Sequence, residues 1–280
     1  VAVARAGRED AEYIGEFPSA FKDLKKVMKK YPVEETLCCY EAGPTGYGLK
    51  RELQKLGYDC DVIAPSLVPK KSGDRVKTNR KDALKLAEQS RSGNLTAIWV
   101  PAEKDEAVRD LVRARADAKK AERVAKQQLN SFLLRHGGHY PEKKWTTRHW
   151  TWIRQQEFSY LEQKMVLADY IIEVDNRTAR TARYEKEMAE ALDKWEHKPI
   201  VEALMALRGV SLITGMSVIA EAGDLVRFST ARQLMSFFGL TPGERSSGES
   251  QTRGHITKAG NSVLRKLMIE SAWCCHHKPA

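Results

Sequence analysis

The fold of the N-terminal region follows from one stretch, TLCCYEAGPTGYGLKRELQKLGYDCDVI at positions 36–63. Residues 36–40 and 58–63, at its two ends, predict strands. Residues 45–56 between them predict a helix that stops at Gly57, because glycine readily adopts the left-handed conformation that ends many helices. A strand, a helix and another strand in direct succession are typical of an α/β layer with a right-handed crossover.

The sequence on both sides continues this alternation. Residues 1–4 are a short apolar run that predicts a chain entering a sheet. Residues 80–91 predict a further helix, and residues 96–100 predict a third strand. We therefore expect residues 1–101 to form an α/β domain.

From residue 102 onwards the pattern is that of an all-α protein. Apolar residues at helical spacing predict two long helices, at 103–135 and 160–195, joined by a turn-back loop at 136–151. Apolar positions of the second helix alternate steps of four and three, as in a heptad repeat: Leu161, Met165, Ala168 and Ile172. Residues 102–197 are therefore predicted to form a helical, coiled-coil-like arm.

Residues 198–280 predict a separate domain of short helices. Helices at 200–208 and 212–222 flank a tight turn at Gly209. This arrangement is similar to a helix–hairpin–helix, whose exposed backbone N–H groups grip a DNA phosphate without reading sequence. An ordinary corner between two helices fits the same pattern.

Composition and charge favour a nucleic-acid-binding protein over membrane and secreted proteins. The 47 lysines and arginines exceed the 37 aspartates and glutamates, so the formal net charge is +10. This charge favours a polyanionic partner, nucleic acid first and an acidic membrane surface second. No apolar run approaches the ~20 residues that span a bilayer, no secretory leader opens the chain, and the five cysteines do not form a disulfide framework. We therefore expect a cytoplasmic protein without membrane segments.

The first candidate for chemistry is Glu41, which follows the strand predicted at 36–40. Folds of the α/β class bind their ligands at the carboxyl ends of strands, so a carboxylate here indicates a ligand or metal site. A solvated acid at the point where a strand leaves the sheet is the competing interpretation.

A second candidate pair, Asn79 and Asp82, lies at the start of the helix predicted at 80–91. Side chains three residues apart share one helix face, and Mg²⁺ prefers oxygen ligands. Together with Glu41, the pair predicts a Mg²⁺ site that could activate a nucleophile and hold a scissile phosphate. The competing interpretation is structural, since asparagine is a favoured N-cap and an aspartate complements the helix dipole.

The third candidate is a loop predicted at 241–260, rich in Gly, Ser and Thr, before a last helix that runs towards the chain end. Ser246 and Ser247 lie here among cationic or ionisable side chains: Arg245, Arg253, His255, Lys258, Arg265 and Lys266. A serine hydroxyl in such a setting can attack a phosphodiester while the cations stabilise the developing negative charge. A phosphate-gripping loop without covalent chemistry has the same composition.

Cations and tryptophans interleave in and after the turn-back loop of the arm: Lys143, Lys144, Trp145, Arg148, Trp150, Trp152 and Arg154. This combination suits contacts to phosphates together with base stacking. Packing of the tryptophans within the arm is the alternative.

Three segments together resemble the transposases of IS110/IS1111-type insertion sequences. They are Tyr40-Glu41-Ala42-Gly43, the run VKTNRKDA at 76–83 with Leu86-Ala87, and the serine loop 246–261 with its GHITKAGN end. Members of this family combine an N-terminal RuvC-like (RNase H fold) domain with a helical C-terminal transposase domain. The resemblance implies DNA recombination by a nucleophilic serine that a carboxylate–Mg²⁺ site assists. It also implies a structured non-coding RNA that bridges donor and target DNA.

Residue by residue, Glu41 corresponds to the family's glutamate, Asp82 to its final aspartate and Ser247 to its nucleophile, with Ser246 as the adjacent alternative. Asn79 stands where the family pattern has an aspartate. The acid of the first strand has no counterpart, because this sequence begins after it. The resemblance therefore implies a weakened Mg²⁺ site.

Three functions fit these observations. The first is an RNA-guided DNA recombinase, which the resemblance places in the bacterial cytoplasm near the nucleoid. The second is a metal-dependent, junction-resolving nuclease that uses the acidic site alone, and the third is a nucleic-acid-binding relative without catalysis. Recombination of two duplexes takes several cuts, and the apolar seam of helix 160–195 exceeds the needs of a monomer. We therefore expect a homodimer or tetramer joined through the arm.

Overall fold

The computed structural model describes residues 1–17, 21–69, 78–248 and 250–276, so Val76 and Lys77 of the sequence motif lie outside the described residues. The chain divides into two compact units, Val1–Val100 and Pro101–Ala280. The first is an α/β unit, and the described part of the second is helical apart from one β-hairpin. Among the described helices, none combines the length and the apolar character that crossing a membrane requires.

The α/β unit is built around a parallel pair of strands. Its described elements are β1 (Ala2–Val3), β2 (Glu12–Tyr13), α1 (Phe21–Met28), β3 (Leu37–Glu41), α2 (Gly48–Lys55), β4 (Asp59–Ile63) and α3 (Asn79–Arg91). β3 and β4 run parallel, with α2 as the crossover, so the predicted strand–helix–strand order is confirmed. Their core contains Met28, Leu53, Tyr58 and Cys60, and the Tyr58 hydroxyl donates a hydrogen bond to the Met28 carbonyl at 2.8 Å.

The third strand predicted at 96–100 is wrong. Ala97 forms one isolated antiparallel bridge with Ile63, and the chain then turns into the next helix after Pro101. β-Branched and aromatic residues favour strands only where a partner strand and a packed face are available. β1 and β2 form their own antiparallel pair, so the described strands of this unit make two small sheets rather than one open sheet.

Two helices of 33 residues each form the arm, α4 (Glu103–Arg135) and α6 (Leu161–Asp193). α4 has the predicted bounds. The Trp195 indole N–H, just after α6, donates to Asp105 Oδ1 near the start of α4 at 2.7 Å, so the helices run antiparallel. α6 buries every seventh residue, at Leu167, Val174, Thr181 and Met188, which is the spacing of a coiled coil.

The apolar seam predicted in α6 lies on a different face from this buried heptad. Leu161, Met165 and Ile172 are 68%, 64% and 57% exposed. α6 therefore carries two apolar stripes, and within this chain α4 covers the one that contains Leu167 and Val174. An exposed apolar stripe is typical of a surface that contacts another protein.

The remaining helices are α5 (Thr147–Arg154), α7 (Lys198–Met205), α8 (Leu212–Ala222), α9 (Ala231–Phe237) and α10 (Ser262–Trp273). α8 has the predicted bounds, and its residues from Gly215 to Ala222 are all buried, because α4, α6, α7 and α10 pack around it. A helix that is apolar on every side is stable when neighbours cover it in this way. α10 ends at Trp273, earlier than predicted, and a 3₁₀ turn follows it.

Two predicted loops contain regular structure instead. α5 begins inside the loop predicted at 136–151. β5 (Pro242–Ser247) and β6 (Ser250–Ile256) form an antiparallel hairpin in the loop predicted at 241–260. The hairpin turns at Gly248, whose φ of +60° suits a short connection. Polar residues on both faces of the hairpin hide the alternation by which strands are recognised.

Candidate catalytic hairpin and nucleic-acid interface

The two candidate serines lie at the end of β5, next to the hairpin turn. Ser247 pairs with Ser250 of β6, and Ser246 pairs with Gln251. Since successive side chains of a strand point to opposite faces, the two serines lie on opposite faces of the hairpin. Both are exposed, so either hydroxyl is accessible to a phosphodiester.

The two serines have different neighbours. The Ser246 hydroxyl donates a hydrogen bond to Glu244 Oε1 at 2.6 Å. Ser247 instead shares its face with Arg245 and with Thr252, the residue that pairs with Arg245. A carboxylate beside a hydroxyl can accept its proton, whereas a guanidinium can stabilise negative charge on a phosphate. The sequence motif and the local bonding therefore favour different serines.

The ionisable residues of β6 do not lie beside Ser247. Arg253 pairs with Glu244 and so lies on the opposite face. His255 lies five residues beyond Ser250 along β6, about 17 Å at the rise of an antiparallel strand. His255 therefore cannot accept the Ser247 proton within the hairpin. The predicted phosphate-contacting side chains of this region are exposed: Arg245, Arg253, His255 and Lys258.

The segment after the hairpin, residues 257–261, packs against the end of α9. The Lys258 N–H donates to the Gly239 carbonyl at 3.1 Å. A Cβ atom on Gly260 would lie 2.4 Å from the carbonyl oxygen of Phe237, so only glycine permits this close approach. The GHITKAGN sequence thus fixes the base of the hairpin to the helical bundle.

A buried carboxylate at the end of α8 holds the same segment to α4. Glu221 is 5% exposed and accepts two hydrogen bonds from the Arg113 guanidinium, at 2.6 and 2.9 Å. It accepts a third from Asn261 Nδ2 at 2.8 Å. Burial alone would raise the pKa of Glu221, but the hydrogen bonds and charge of Arg113, together with Asn261, outweigh it and lower the pKa.

Sequence reasoning missed this network because its members are far apart in the chain. Glu221 lies 108 positions from Arg113 and 40 positions from Asn261. The one available signal was a charged residue inside the apolar helix α8. Asn261 has a second role, since its side-chain oxygen accepts hydrogen bonds from two backbone N–H groups and caps α10.

Two other predicted phosphate-binding residues make contacts within the bundle. Arg265 of α10 donates through Nη1 to the Phe238 carbonyl at 3.0 Å. Gly209, in the turn between α7 and α8, has a φ of +83°, and a Cβ there would lie 2.6 Å from the Ser271 carbonyl oxygen. The turn at Gly209 therefore packs so closely against α10 that a side chain would not fit, which explains the glycine without a DNA contact.

The end of the arm carries the cluster of cations and tryptophans. Trp145, Trp150 and Trp152 are half-buried and pack against the apolar core of the arm, so the packing interpretation of the tryptophans is the one observed. The buried His149 supports them, because its Nδ1 accepts the Trp145 backbone N–H at 2.9 Å. Burial, followed by the charge of Lys144, lowers the pKa of His149, which keeps that nitrogen available as an acceptor.

The four cations at the end of the arm differ in exposure. Lys143, Arg148 and Arg154 are exposed, and Lys144 is half-buried. Lys144 Nζ donates to Asn130 Oδ1 at 2.6 Å, and the Arg154 guanidinium lies 5.4 Å from the Trp150 ring centroid. These side chains form a positively charged surface at the end of the arm.

The three predicted Mg²⁺ ligands belong to neighbouring elements of the α/β unit. Glu41 is the last residue of β3, and Asp82 lies in the first turn of α3, which packs against β3. Both are half-buried, and Asn79 is exposed. The donor set is made of oxygen atoms, as Mg²⁺ requires, so these residues fit the ion chemically.

The structural interpretation of Asn79 as an N-cap is wrong. Thr78 is the N-cap of α3, and its hydroxyl oxygen accepts a hydrogen bond from the Lys81 N–H at 3.2 Å. Asn79 is the first residue inside the helix. Threonine caps a helix nearly as well as asparagine does, so N-cap preference alone could not decide between Thr78 and Asn79.

A second group of possible metal ligands lies at the base of the arm. Ligand atoms of Asp105, Glu196 and His197 all lie within 4.8 Å of one another, which makes them a group that could hold a metal ion. His197 Nε2 lies 3.5 Å from Asp105 Oδ1, the oxygen that also accepts the Trp195 indole N–H. These contacts join the start of α4 to the end of α6. A mixed nitrogen and oxygen donor set suits transition metals better than Mg²⁺.

Comparison with known proteins connects these features to a family. The model of the transposase IS116/IS110/IS902 family matches residues 201–280, which contain α8, the hairpin and α10. The y4qE protein of Sinorhizobium fredii, which is named as a transposase, is 45% identical over the whole chain, and the match covers 69% of that relative. The chain belongs to the IS116/IS110/IS902 transposase family. Membership implies the cutting and rejoining of DNA as the family's general activity.

Further relatives of this transposase-family chain extend the similarity beyond the helical bundle. The transposase for insertion sequence element IS1533 of Leptospira borgpetersenii is 32% identical over 89% of the chain and 74% of the relative. The transposase for element IS1111A of Coxiella burnetii is 25% identical over 79% of the chain and 61% of the relative. The resemblance to IS110/IS1111-type transposases is therefore confirmed.

Proposed function

We propose that this chain is an insertion-sequence transposase that cuts and rejoins DNA strands through Ser247. Glu41, Asn79 and Asp82 would hold a Mg²⁺ ion that assists the step, and a structured RNA would guide it. The observation that carries the proposal is an exposed pair of serines beside a tight turn. The base of their hairpin is fixed to the bundle through Gly260 and the Asn261–Glu221 hydrogen bond. A nucleophile must be accessible and held in place, and this hairpin satisfies both requirements.

The proposed step is a transesterification. The Ser247 Oγ attacks the phosphorus, a bond between Oγ and phosphorus forms, and the bond to the leaving sugar oxygen breaks. The serine proton passes to a base, and the leaving oxygen takes up a proton. Attack by the hydroxyl of another DNA end reverses the step, rejoins the strand and frees the serine, with no oxidant or reductant consumed. Arg245, on the same face, stabilises the negative charge that develops on the phosphate.

The acidic residues of the α/β unit are proposed as the metal site of a RuvC-like domain at residues 1–101. The support is a parallel β3–β4 pair with its helical crossover and the position of Glu41 at the strand end. An ion held there would supply positive charge that favours attack on a phosphate. Glu41 and Asp82 contribute the two carboxylates, and Asn79 contributes a neutral oxygen, so we expect modest affinity for the ion.

The proposed contacts to donor DNA, target DNA and guide RNA lie on the arm (102–197) and the C-terminal transposase domain (198–280). The residues assigned to phosphates are those identified from the sequence: Lys143, Lys144, Arg148, Arg154, Gly209, Arg245, Arg253, His255, Lys258 and Arg265. The net charge of +10 supports this assignment. The exposed stripe of Leu161, Met165 and Ile172 supports a homodimer or tetramer joined through the arm.

The test is the covalent protein–DNA adduct that serine attack leaves on a denaturing gel. We expect Ser247→Ala to abolish the adduct while DNA and RNA affinities stay nearly unchanged, because a small exposed hydroxyl adds little to affinity. Ser246→Ala is the matched control and should retain the adduct. Loss of the adduct in Ser246→Ala alone would assign the nucleophile to Ser246 with Glu244 as its base. An adduct that survives both changes would exclude the serine mechanism.

The same gel separates the alternatives. A metal-dependent, junction-resolving nuclease leaves free DNA ends without an adduct, and Glu41→Gln or Asp82→Asn would stop the cutting. A non-catalytic binding protein yields neither product. Uncut DNA in the presence of Mg²⁺ and the guide RNA, together with normal binding, would therefore favour the third function.

A further inference from the structure

A groove between α4 and α10 of the helical unit has no assigned role. Its volume is about 990 Å³. One wall is a face of α4, the other is a face of α10 that includes Ser262 and Lys266, and Lys144 and Trp145 also line it. All of these residues belong to the unit Pro101–Ala280.

The α4 wall carries cations at helical spacing: Arg115, Lys119, Lys120, Arg123 and Lys126. Residues three, four and seven apart lie on one side of a helix, so these side chains follow the groove along its length. Lys144 and Lys266 bring the cations to seven, against the three acids Asp117, Glu122 and Glu270. The lining therefore has an excess of four positive charges.

A buried carboxylate orders two of these lysines. The Glu122 side chain is 4% exposed, and it binds Lys119 Nζ at 3.0 Å and Lys126 Nζ at 2.6 Å. Burial alone would raise the pKa of Glu122, but the hydrogen bonds from Lys126 and Lys119 outweigh it and lower the pKa. One ionised carboxylate thus holds two ammonium groups at the groove, and their order is established before any ligand binds.

Two other cations on the same wall have no acidic partner among the residues that the structure describes. Lys120 and Arg123 are exposed, and within the part of the chain that the structure describes neither forms a salt bridge or a side-chain hydrogen bond. Unpaired cations along a groove attract an anionic ligand. From Arg115 to Lys126 the wall is about 17 Å long at the rise of an α-helix, which matches about five nucleotides at 3.4 Å each.

We infer that the α4–α10 groove binds the phosphodiester backbone of one nucleic-acid strand, with Lys120 and Arg123 in direct contact with phosphates. This inference rests on the proposed function and deepens it, because it assigns phosphate contacts to residues of α4 that the proposed function does not name. The α10 wall begins after Asn261, the residue that anchors the serine hairpin. A nucleic-acid strand that runs along α10 in this groove would therefore reach the serine hairpin.

The test compares two variants of the full chain that lose the same charge. Lys120→Gln with Arg123→Gln removes the unpaired cations of the groove and keeps good helix formers. Lys104→Gln with Lys164→Gln removes two exposed lysines of the arm helices that do not line the groove. Affinity is measured by fluorescence anisotropy over a series of salt concentrations, with a DNA duplex, a DNA single strand and an RNA hairpin as three separate probes.

For the groove variant we expect the slope of log K against log salt to become shallower by about 1.8 on duplex DNA, because each phosphate that a cation neutralises adds about 0.9 to the slope. The control variant should keep the slope of the unaltered chain, and the probe that changes most identifies the strand in the groove. Equal slopes for both variants, while the unaltered chain binds, would overturn the groove assignment and leave the proposed function standing. If the unaltered chain binds none of the three probes, both the groove assignment and the proposed function are overturned.

Discussion

Replacement of Gly260 by alanine places a methyl group against the backbone at the end of α9. The new Cβ would lie 2.4 Å from the Phe237 carbonyl oxygen and 2.9 Å from the Gly239 nitrogen. Ordinary contacts of a Cβ atom begin near 3.4 Å, so the two segments must separate by about 1 Å. Both obstacles are backbone atoms, which cannot rotate away as a flexible side chain would.

Overpacking of a well-packed site costs about 1–3 kcal/mol, and the backbone obstacle places Gly260→Ala near the upper end of that range. A loss of about 3 kcal/mol lowers the melting temperature of a domain of this size by about 6–12 °C. Because the shift occurs at the base of the hairpin, it also displaces Ser247. We expect the adduct to be lost although both serines are present.

Gly254→Ala is the matched control, since its nearest heavy atom is the Gly243 carbonyl oxygen at 3.7 Å. Both glycines belong to the GHITKAGN sequence, and the substitution is the same. Thermal unfolding followed by circular dichroism compares the two variants with the unaltered chain. If Gly260→Ala melts within 2 °C of Gly254→Ala, a margin of roughly 0.5–1 kcal/mol at this size, the close packing of this segment does not determine stability and the reasoning fails.

Three further predictions concern the buried network, the arm and the metal site. Glu221→Gln should lower the free energy of unfolding by about 1.5–3 kcal/mol near neutral pH. Because the folded pKa of Glu221 is lowered, its contribution is present above the ordinary value of 4.5 and disappears as the pH falls below it. Urea titrations should therefore show a smaller loss on acidification in the variant than in the unaltered chain, and an identical pH dependence would contradict this. Met165→Glu with Ile172→Glu should reduce the oligomer mass in light scattering and leave the melting temperature unchanged, because both side chains are exposed; an unchanged mass would exclude this face as the interface. Asn79→Asp should tighten Mg²⁺ binding in calorimetry by adding a carboxylate, whereas Asn94→Asp, an exposed change in the same unit, should not; equal gains would remove Asn79 from the site.

The parts of the fold that the sequence predicted well are those with local causes. The bounds of α4 and α8 follow from apolar periodicity and from the glycine and proline residues beside them. The hairpin was missed because its strands are polar on both faces, so its alternation has no apolar signal. The seam of Leu161, Met165 and Ile172 was recognised as apolar, but its partner depends on how α4 packs, and no local pattern contains that information.

The candidate site divides in the same way. Ser247 and Glu41 are predicted from short motifs, because each motif consists of adjacent residues, and their roles stay predictions. The bond from Ser246 to Glu244 depends on which residues share a strand face, and the sequence had indicated a loop there. The role of Glu221 in fixing the hairpin depends on its hydrogen bonds from Arg113 and Asn261, which are both distant from it in the chain. The spacing of the cations on α4 is visible in the sequence, but the groove that they line forms only where α10 packs beside α4.

The length of α4 has a consequence for the DNA that the chain can cover. A helix of 33 residues extends for about 50 Å, and the cations around α5 lie at its far end from α8. At 3.4 Å per base pair, this length corresponds to about fifteen base pairs, or about one and a half turns of the duplex. A duplex bound along the arm would face it with alternating strands over this length, so a footprint of this protein should show protected positions that repeat with the helical period of DNA on each strand.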